Sequence, residues 1–262
     1  MSVTGELPPL VLAPLLCAGG IPLLLHALRF LARQVPAAAP LHAGWRFGDI
    51  GAVTAAVVVV LLLGPALAPA SVSAELLLGQ GGFLAGAGLA LALARGRGQP
   101  AAVLGLVRPA CARSYSAAFL GYGPLVLCYF GVLVAWGHLA RALGWEEEQE
   151  VLRRLLELEG RELVLCALIA VLVGPFLEEL FFRGFLQGAL VERLGLCVGL
   201  PLAALIFAGL HGRAGLPGLV LLSFYLAWLR QRSGSIFVPF LVHAAHNGLT
   251  LCLALALRGS VQ

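Results

Sequence analysis

The sequence predicts an all-α protein, a polytopic transmembrane helical bundle of about eight spans, and three observations predict it. Hydrophobic residues fill 60% of the 262 positions, and the mean hydropathy is +0.97, outside the range of soluble domains. Charged residues make up only 11%. The apolar residues fall in runs of about 20, the length that crosses a bilayer, with arginine-bearing loops between the runs. The lipid bilayer is therefore the first expected partner.

In chain order, Leu7 to Leu31 forms the first span, interrupted by Pro14 and Pro22. Ile50 to Ala70 forms the second, with a Gly64-Pro65 break near its end, and Ser71 to Ala94 the third, carrying Glu75 near its start. A basic loop with Arg95, Arg97, Arg108 and Arg113 leads to the fourth span, Ala117 to Ala140. Trp145 to Glu162 is a polar insert containing Glu146, Glu147 and Glu148. Its leucines, Leu152, Leu155, Leu156 and Leu158, fit one face of a helix lying at the membrane interface, with the charges on a solvated face. The fifth span starts near Leu163 and runs on to Val191 as one long tilted helix, bent at Gly174-Pro175. Gly195 to His211 is the sixth, Leu216 to Leu229 a short seventh, and Ile236 to Leu257 the eighth. The chain thus divides into N-terminal spans (1–145), a polar amphipathic connector (146–162) and a C-terminal core (163–257) of one integral membrane domain.

Charge and cysteine usage exclude other classes. All 17 basic side chains are arginines, spread over loops, so no nucleic-acid partner is expected. A lysine-free chain rich in Arg, Ala, Leu and Gly points to a GC-rich bacterial genome, hence to a multi-pass protein of a bacterial inner membrane. The arginine bias puts the N-terminus outside. Six scattered cysteines without a CxxC pair supply neither a disulfide nor a metal framework. No basic region precedes the first apolar run, which reads as a span rather than a cleavable signal. No inverted repeat of the transporter kind is visible.

The core is organised around Leu177-Glu178-Glu179-Leu180-Phe181-Phe182-Arg183, in a run that is otherwise apolar from Leu163 to Leu190 apart from Gln187. Ionisable groups at such depth are costly and mark functional sites. Glu179 and Arg183 are four residues apart and share a helix face. Glu178 lies about 100° round the helix. One acid is therefore expected to pair with Arg183 while the other stays free for chemistry. A second polar island is Phe207-Ala208-Gly209-Leu210-His211, and a third is His243-Ala244-Ala245-His246-Asn247. His243 and Asn247 share a face, and His246 borders it. Buried polar groups need partners, and the economical expectation is that Glu178, Glu179, Arg183, His211, His243 and Asn247 converge on one cavity.

Such a cavity suits hydrolysis. A desolvated glutamate can act as general base towards water, with a histidine holding that water. A second histidine and an asparagine, as donors, can stabilise a tetrahedral oxyanion. Neither serine nor cysteine lies in these motifs, which argues against a covalent nucleophile. The alternative is a metal: HExxH is absent, but Glu178, His211 and His243 could supply three ligands to zinc from separate helices.

The three motifs, Glu178-Glu179-x-x-x-Arg183, Phe207-x-x-x-His211 and His243-x-x-x-Asn247, in this order and each in an apolar helix, resemble the CAAX-protease and bacteriocin-processing family of intramembrane endopeptidases, whose best-known eukaryotic branch is the type II CAAX prenyl endopeptidase. The resemblance covers about Leu163 to Leu253. Leu104-Gly105-Leu106-x-Arg108-Pro109 is also similar to a stretch that precedes the core in many members. The resemblance implies that Glu178 and His211 activate the water, His243 and Asn247 form the oxyanion site, and Glu179 and Arg183 hold the geometry. It implies a membrane-embedded protein or peptide as substrate; the residue set itself suits a glutamate-type mechanism without a cofactor, zinc being the alternative. Two other functions use the same residues: a transporter with a Glu/His proton relay, and a non-catalytic immunity or scaffold protein of the membrane.

Overall fold

The computed structural model describes residues 9–35, 37–38, 42–67, 71–145 and 150–258. Leu7, the end of the second expected span at Ala70, and Glu146, Glu147 and Glu148 of the insert lie outside the described residues. Within them are nine helices: α1 Pro9–Gln34, α2 Phe47–Leu67, α3 Val72–Gly96, α4 Arg113–Ala142, α5 Glu150–Leu156, α6 Gly160–Leu194, α7 Leu196–Gly209, α8 Leu216–Ser233 and α9 Phe237–Arg258. Each of the eight expected apolar runs becomes a helix. Six of them (α1 to α4, α6 and α9) are long and apolar enough to cross a membrane. The 14 residues of α7 reach only about 21 Å at 1.5 Å per residue, and α8 ends in Arg230 and Arg232.

Local sequence sets the helix ends. Ser71 caps α3, its Oγ accepting from the Ala74 N–H at 3.2 Å. Gly195 (φ +76°) and Gly234 (φ +69°) close α6 and α8 in backbone conformations that a side chain disfavours. The break expected at Gly64-Pro65 does not occur, and α2 continues to Leu67. The insert is shorter as a helix than its leucine pattern implied. Helix α5 stops at Leu156 and α6 starts at Gly160, three residues ahead of the expected core boundary.

Helix α6 is the hub. It is 35 residues long, about 52 Å, and touches α2, α3, α7, α8 and α9. Helices α1 and α4 form a second pair that joins the hub through α8 and α9. Close approach relies on small residues, as in other membrane bundles. Gly82, Gly86, Ala90 and Ala94 make a buried stripe down α3. At Gly86 a Cβ would stand 2.4 Å from Val57 and 3.2 Å from Phe181, so α2, α3 and α6 meet over a hydrogen atom.

The Leu104-Gly105-Leu106-x-Arg108-Pro109 stretch acts as a wedge. It follows a 3₁₀ turn, Ala101–Leu104. The Ile236 N–H donates to the Gly105 carbonyl (3.0 Å) and Ser235 Oγ to the Val107 carbonyl (2.6 Å), which pins the α8–α9 connection. Leu104 backs onto α6 at Gly184, where a Cβ would stand 2.8 Å from the Leu104 carbonyl oxygen. Gly184→Ala is therefore expected to destabilise by about 1–3 kcal/mol through overpacking, read as thermal unfolding in detergent. Gly188→Ala, four residues on and facing open space, is the control and should cost nothing.

Two segments of α6 depart from α geometry. Ile169–Val173 and Leu180–Leu186 run in π register, with the Gly174 N–H bonded to Ile169 O and the Gln187 N–H to Phe182 O. At Gly174-Pro175, where a bend was expected, the helix widens. Pro175 has no N–H to give and its ring crowds the carbonyl four residues back, which a shift to i→i−5 relieves. The two acids sit between the wide segments, in Gly174–Glu179.

Candidate active site within the bundle

The two adjacent glutamates have different surroundings. Glu178 lines a cavity of about 660 Å³, together with His211, His243, His246, Asn247 and Gln80. Glu179, 0% exposed, is not on that lining and faces the packed interior. Its Oε1 lies 3.1 Å from Arg183 Nη1 and accepts from His243 Nδ1–H at 2.9 Å. The division into one paired and one free acid thus appears as geometry.

Behind the cavity, Arg183 is held on three sides. Glu179 supplies the charge, Ser223 Oγ of α8 accepts from Nη2 at 3.0 Å, and the Phe207 ring lies 4.4 Å below the guanidinium carbon. A cation over a ring face is electrostatically attracted, more so when desolvated. The same ring contacts both site histidines, at centroid separations of 4.7 Å for His211 and 5.7 Å for His243. Phe207 is therefore the platform between the clamp and the cavity.

At the cavity wall, Glu178 Oε2 lies 3.7 Å from His211 Nε2 and 3.8 Å from His243 Nε2. Both contacts exceed hydrogen-bond length. The other ring nitrogens are committed: His211 Nδ1–H donates to the Phe207 carbonyl at 2.8 Å, and His243 Nδ1–H to Glu179. With Nδ1–H committed, a neutral ring presents its Nε2 lone pair to Glu178, and a doubly protonated ring presents Nε2–H to it. Asn247, on the same face of α9 as His243, donates from Nδ2 to the Ala170 carbonyl of α6 at 2.9 Å. His246, also on the lining, meets Tyr122 (Nδ1 to OH 3.2 Å) and the Tyr129 ring at 4.4 Å.

All six residues singled out in the sequence thus gather around α6, four on the cavity and two behind it. The cavity extends beyond the last four helices. Gln80 of α3 donates from Nε2 to Glu178 Oε1 at 3.3 Å, and Leu61 of α2, Tyr129 of α4 and Leu155 of α5 are also on the lining. The sequence reading passed over Gln80, although an amide standing alone before an apolar run is a visible signal. Ser223, one serine among many, gave none. Among the described residues, no group of three or more His, Cys, Asp and Glu is arranged to hold a metal ion.

Comparison with known proteins agrees with the motifs. Residues 160–249 match the family described as Type II CAAX prenyl endopeptidase Rce1-like. That range begins at the first residue of α6 and contains Glu178, Glu179, Arg183, His211, His243 and Asn247. A 94-residue stretch is 32% identical to "Putative membrane peptidase YdiL" of Bacillus subtilis (strain 168), covering 35% of this chain and 38% of that relative. The likeness therefore spans well under half of either protein, and Gln80, Tyr122 and Tyr129 lie outside the family match. No solved structure matches the chain.

Proposed function

We propose, starting from the match of residues 160–249 to a family of CAAX prenyl endopeptidases, that this multi-pass membrane protein is an intramembrane endopeptidase. It hydrolyses a peptide bond of a membrane-anchored protein or peptide. The observation that carries the reading is the facing of Glu178 Oε2 by two ring nitrogens at 3.7 and 3.8 Å on the wall of a cavity large enough for a peptide segment. Groups at this spacing suit one shared water rather than direct bonds. Glu178 takes a proton from the water while His211 Nε2 accepts its other hydrogen, and the water oxygen attacks the scissile carbonyl. The oxyanion is met by the Asn247 amide and by His243. Because Glu179 holds His243 Nδ1–H, His243 donates from Nε2 to the oxyanion only as the doubly protonated ring. Glu178 then passes its proton to the leaving amine, and the C–N bond breaks.

Zinc is the second reading, and one observation favours it. Both Nδ1 atoms are occupied, one by a carboxylate, which is the outer-shell pattern of metal-bound histidine. Glu178, His211 and His243 would hold the ion, which would supply a Lewis acid and an activated water. Against it, the 3.7 and 3.8 Å spans exceed the roughly 3.3 Å between tetrahedral ligands with bonds of about 2.05 Å.

The test of function compares protein termini, by mass spectrometry, in membranes of cells with and without the protein. New termini in or beside membrane segments are expected only where the protein is present. No difference would sink the endopeptidase reading in favour of a relay or scaffold. The purified protein, with its metal content measured, is expected to keep cutting a reporter of such a site after exhaustive chelation. Loss of cleavage on chelation, restored by stoichiometric zinc, would overturn the glutamate–histidine water.

A further inference from the structure

The hydrogen bond between Asn247 and Ala170 joins two oddities of the sequence. In an α register the Ala170 carbonyl would accept from the Gly174 N–H; in a π register it would accept from residue 175. The Gly174 N–H goes to Ile169 O instead, and residue 175 is proline, which has no N–H. Both helical routes to this carbonyl are closed by the same residue that forces the wide turn. In a membrane interior, a freed backbone carbonyl is re-satisfied by a neighbouring helix. Here the neighbour is α9, whose Asn247 Nδ2 lies 2.9 Å away. A carbonyl only accepts, so the amide nitrogen and not Oδ1 must face it. That fixes the flip state of Asn247, and it leaves the second Nδ2 hydrogen to another acceptor, on a residue that lines the cavity.

We propose that Pro175 is a positioning residue for Asn247: by withholding an N–H it leaves the Ala170 carbonyl to the Asn247 side chain and so sets the direction of that amide at the cavity wall. Pro175 itself does not line the cavity. The catalytic consequence rests on the endopeptidase reading; the hydrogen-bond exchange does not. It also accounts for a proline three residues ahead of Glu178 in a helix that must stay continuous.

The experiment is a double-mutant cycle of Pro175→Ala and Asn247→Ala on the full chain in detergent, read first by thermal unfolding. Against the native background, Asn247→Ala removes the side-chain donor to the Ala170 carbonyl and is expected to lower Tm by roughly 2–6 °C. In the Pro175→Ala background a backbone N–H can take that carbonyl, and the same substitution should lower Tm by less than half as much. Equal losses in both backgrounds overturn the proposal. The second readout is turnover of a reporter built on a cut site found by the termini comparison. Pro175→Ala is expected to lower kcat about 10–100-fold with KM unchanged, as a misplaced donor would. An unaltered kcat overturns the positioning role even where the Tm values couple. Should the protein cut nothing, the endopeptidase reading falls, while the Tm cycle still decides the exchange. Should Asn247→Ala fail to fold, a structure of Pro175→Ala decides it. Asn247 Nδ2 more than about 3.5 Å from Ala170 O supports the proposal, and retention of the 2.9 Å contact overturns it.

Discussion

Replacing Glu178 by glutamine is expected to leave the protein folded and to lower turnover by about 10²–10⁴-fold, the usual contribution of a general base. The substitution is nearly isosteric. Gln80 Nε2, which now donates to Glu178 Oε1 at 3.3 Å, would find an amide oxygen in the same place. The new amide nitrogen would face His211 and His243 with hydrogens where Oε2 has lone pairs. It can hold a water but cannot take its proton. Removing a buried charge also removes its desolvation cost, so Tm should stay level or rise. The measurement is turnover and thermal unfolding on one preparation. Retention of more than a tenth of the wild-type rate would exclude Glu178 as the base.

The neighbouring acid should behave in the opposite way. Glu179→Ala is expected to cost about 3–5 kcal/mol, because it leaves Arg183, 2% exposed, as an uncompensated buried charge. Ser223 and the Phe207 ring remain, but neither carries a negative charge. His243 would lose its Nδ1 acceptor in the same step. For a membrane protein of this size, that loss should show as a collapsed folded fraction in detergent size exclusion and low abundance in membranes. The double variant Glu179→Leu with Arg183→Met removes both charges at similar volume, and should recover folding without recovering turnover. A Glu179→Ala protein as abundant and as stable as the native one would show that the clamp is not structural.

How much of this was legible in the sequence follows from the range of each interaction. The helices could be located because apolar runs of membrane length are local features. The Glu179–Arg183 pair could be read because four residues on one helix are also local. The order and character of the three motifs sufficed to point to one family over residues 160–249. Gln80 was missed because its contact with Glu178 spans 98 positions and leaves no periodicity. The insert was legible only in part. Its leucines suggested a helix with one apolar face, but nothing local said what that face meets: Leu155 is buried against the cavity, and Arg154 holds Glu75 of α3 through two contacts of 2.9 and 2.8 Å. Pro175 was noticed as a bend, but the wide turn beside it was not foreseen. Such a turn frees a carbonyl that another element has to satisfy, and here that element is 77 residues away in α9.

The wide turn at Leu180–Leu186 makes the length of α6 as significant as its composition. Closing i→i−5 takes one residue more than closing i→i−4, so such a segment holds a surplus residue within an otherwise regular rod. Reverting to ordinary winding with every residue kept would swing everything downstream by about 100°. Gln187, now buried and donating to the Ala227 carbonyl at 3.4 Å, would be carried off its partner, and the turn into α7 that delivers His211 would leave from another side. Substitutions along this stretch can be absorbed one at a time by repacking. A deletion that removed the surplus residue together with the wide turn would keep the downstream direction, so the winding and the residue count between Glu178 and Gly195 have to change together.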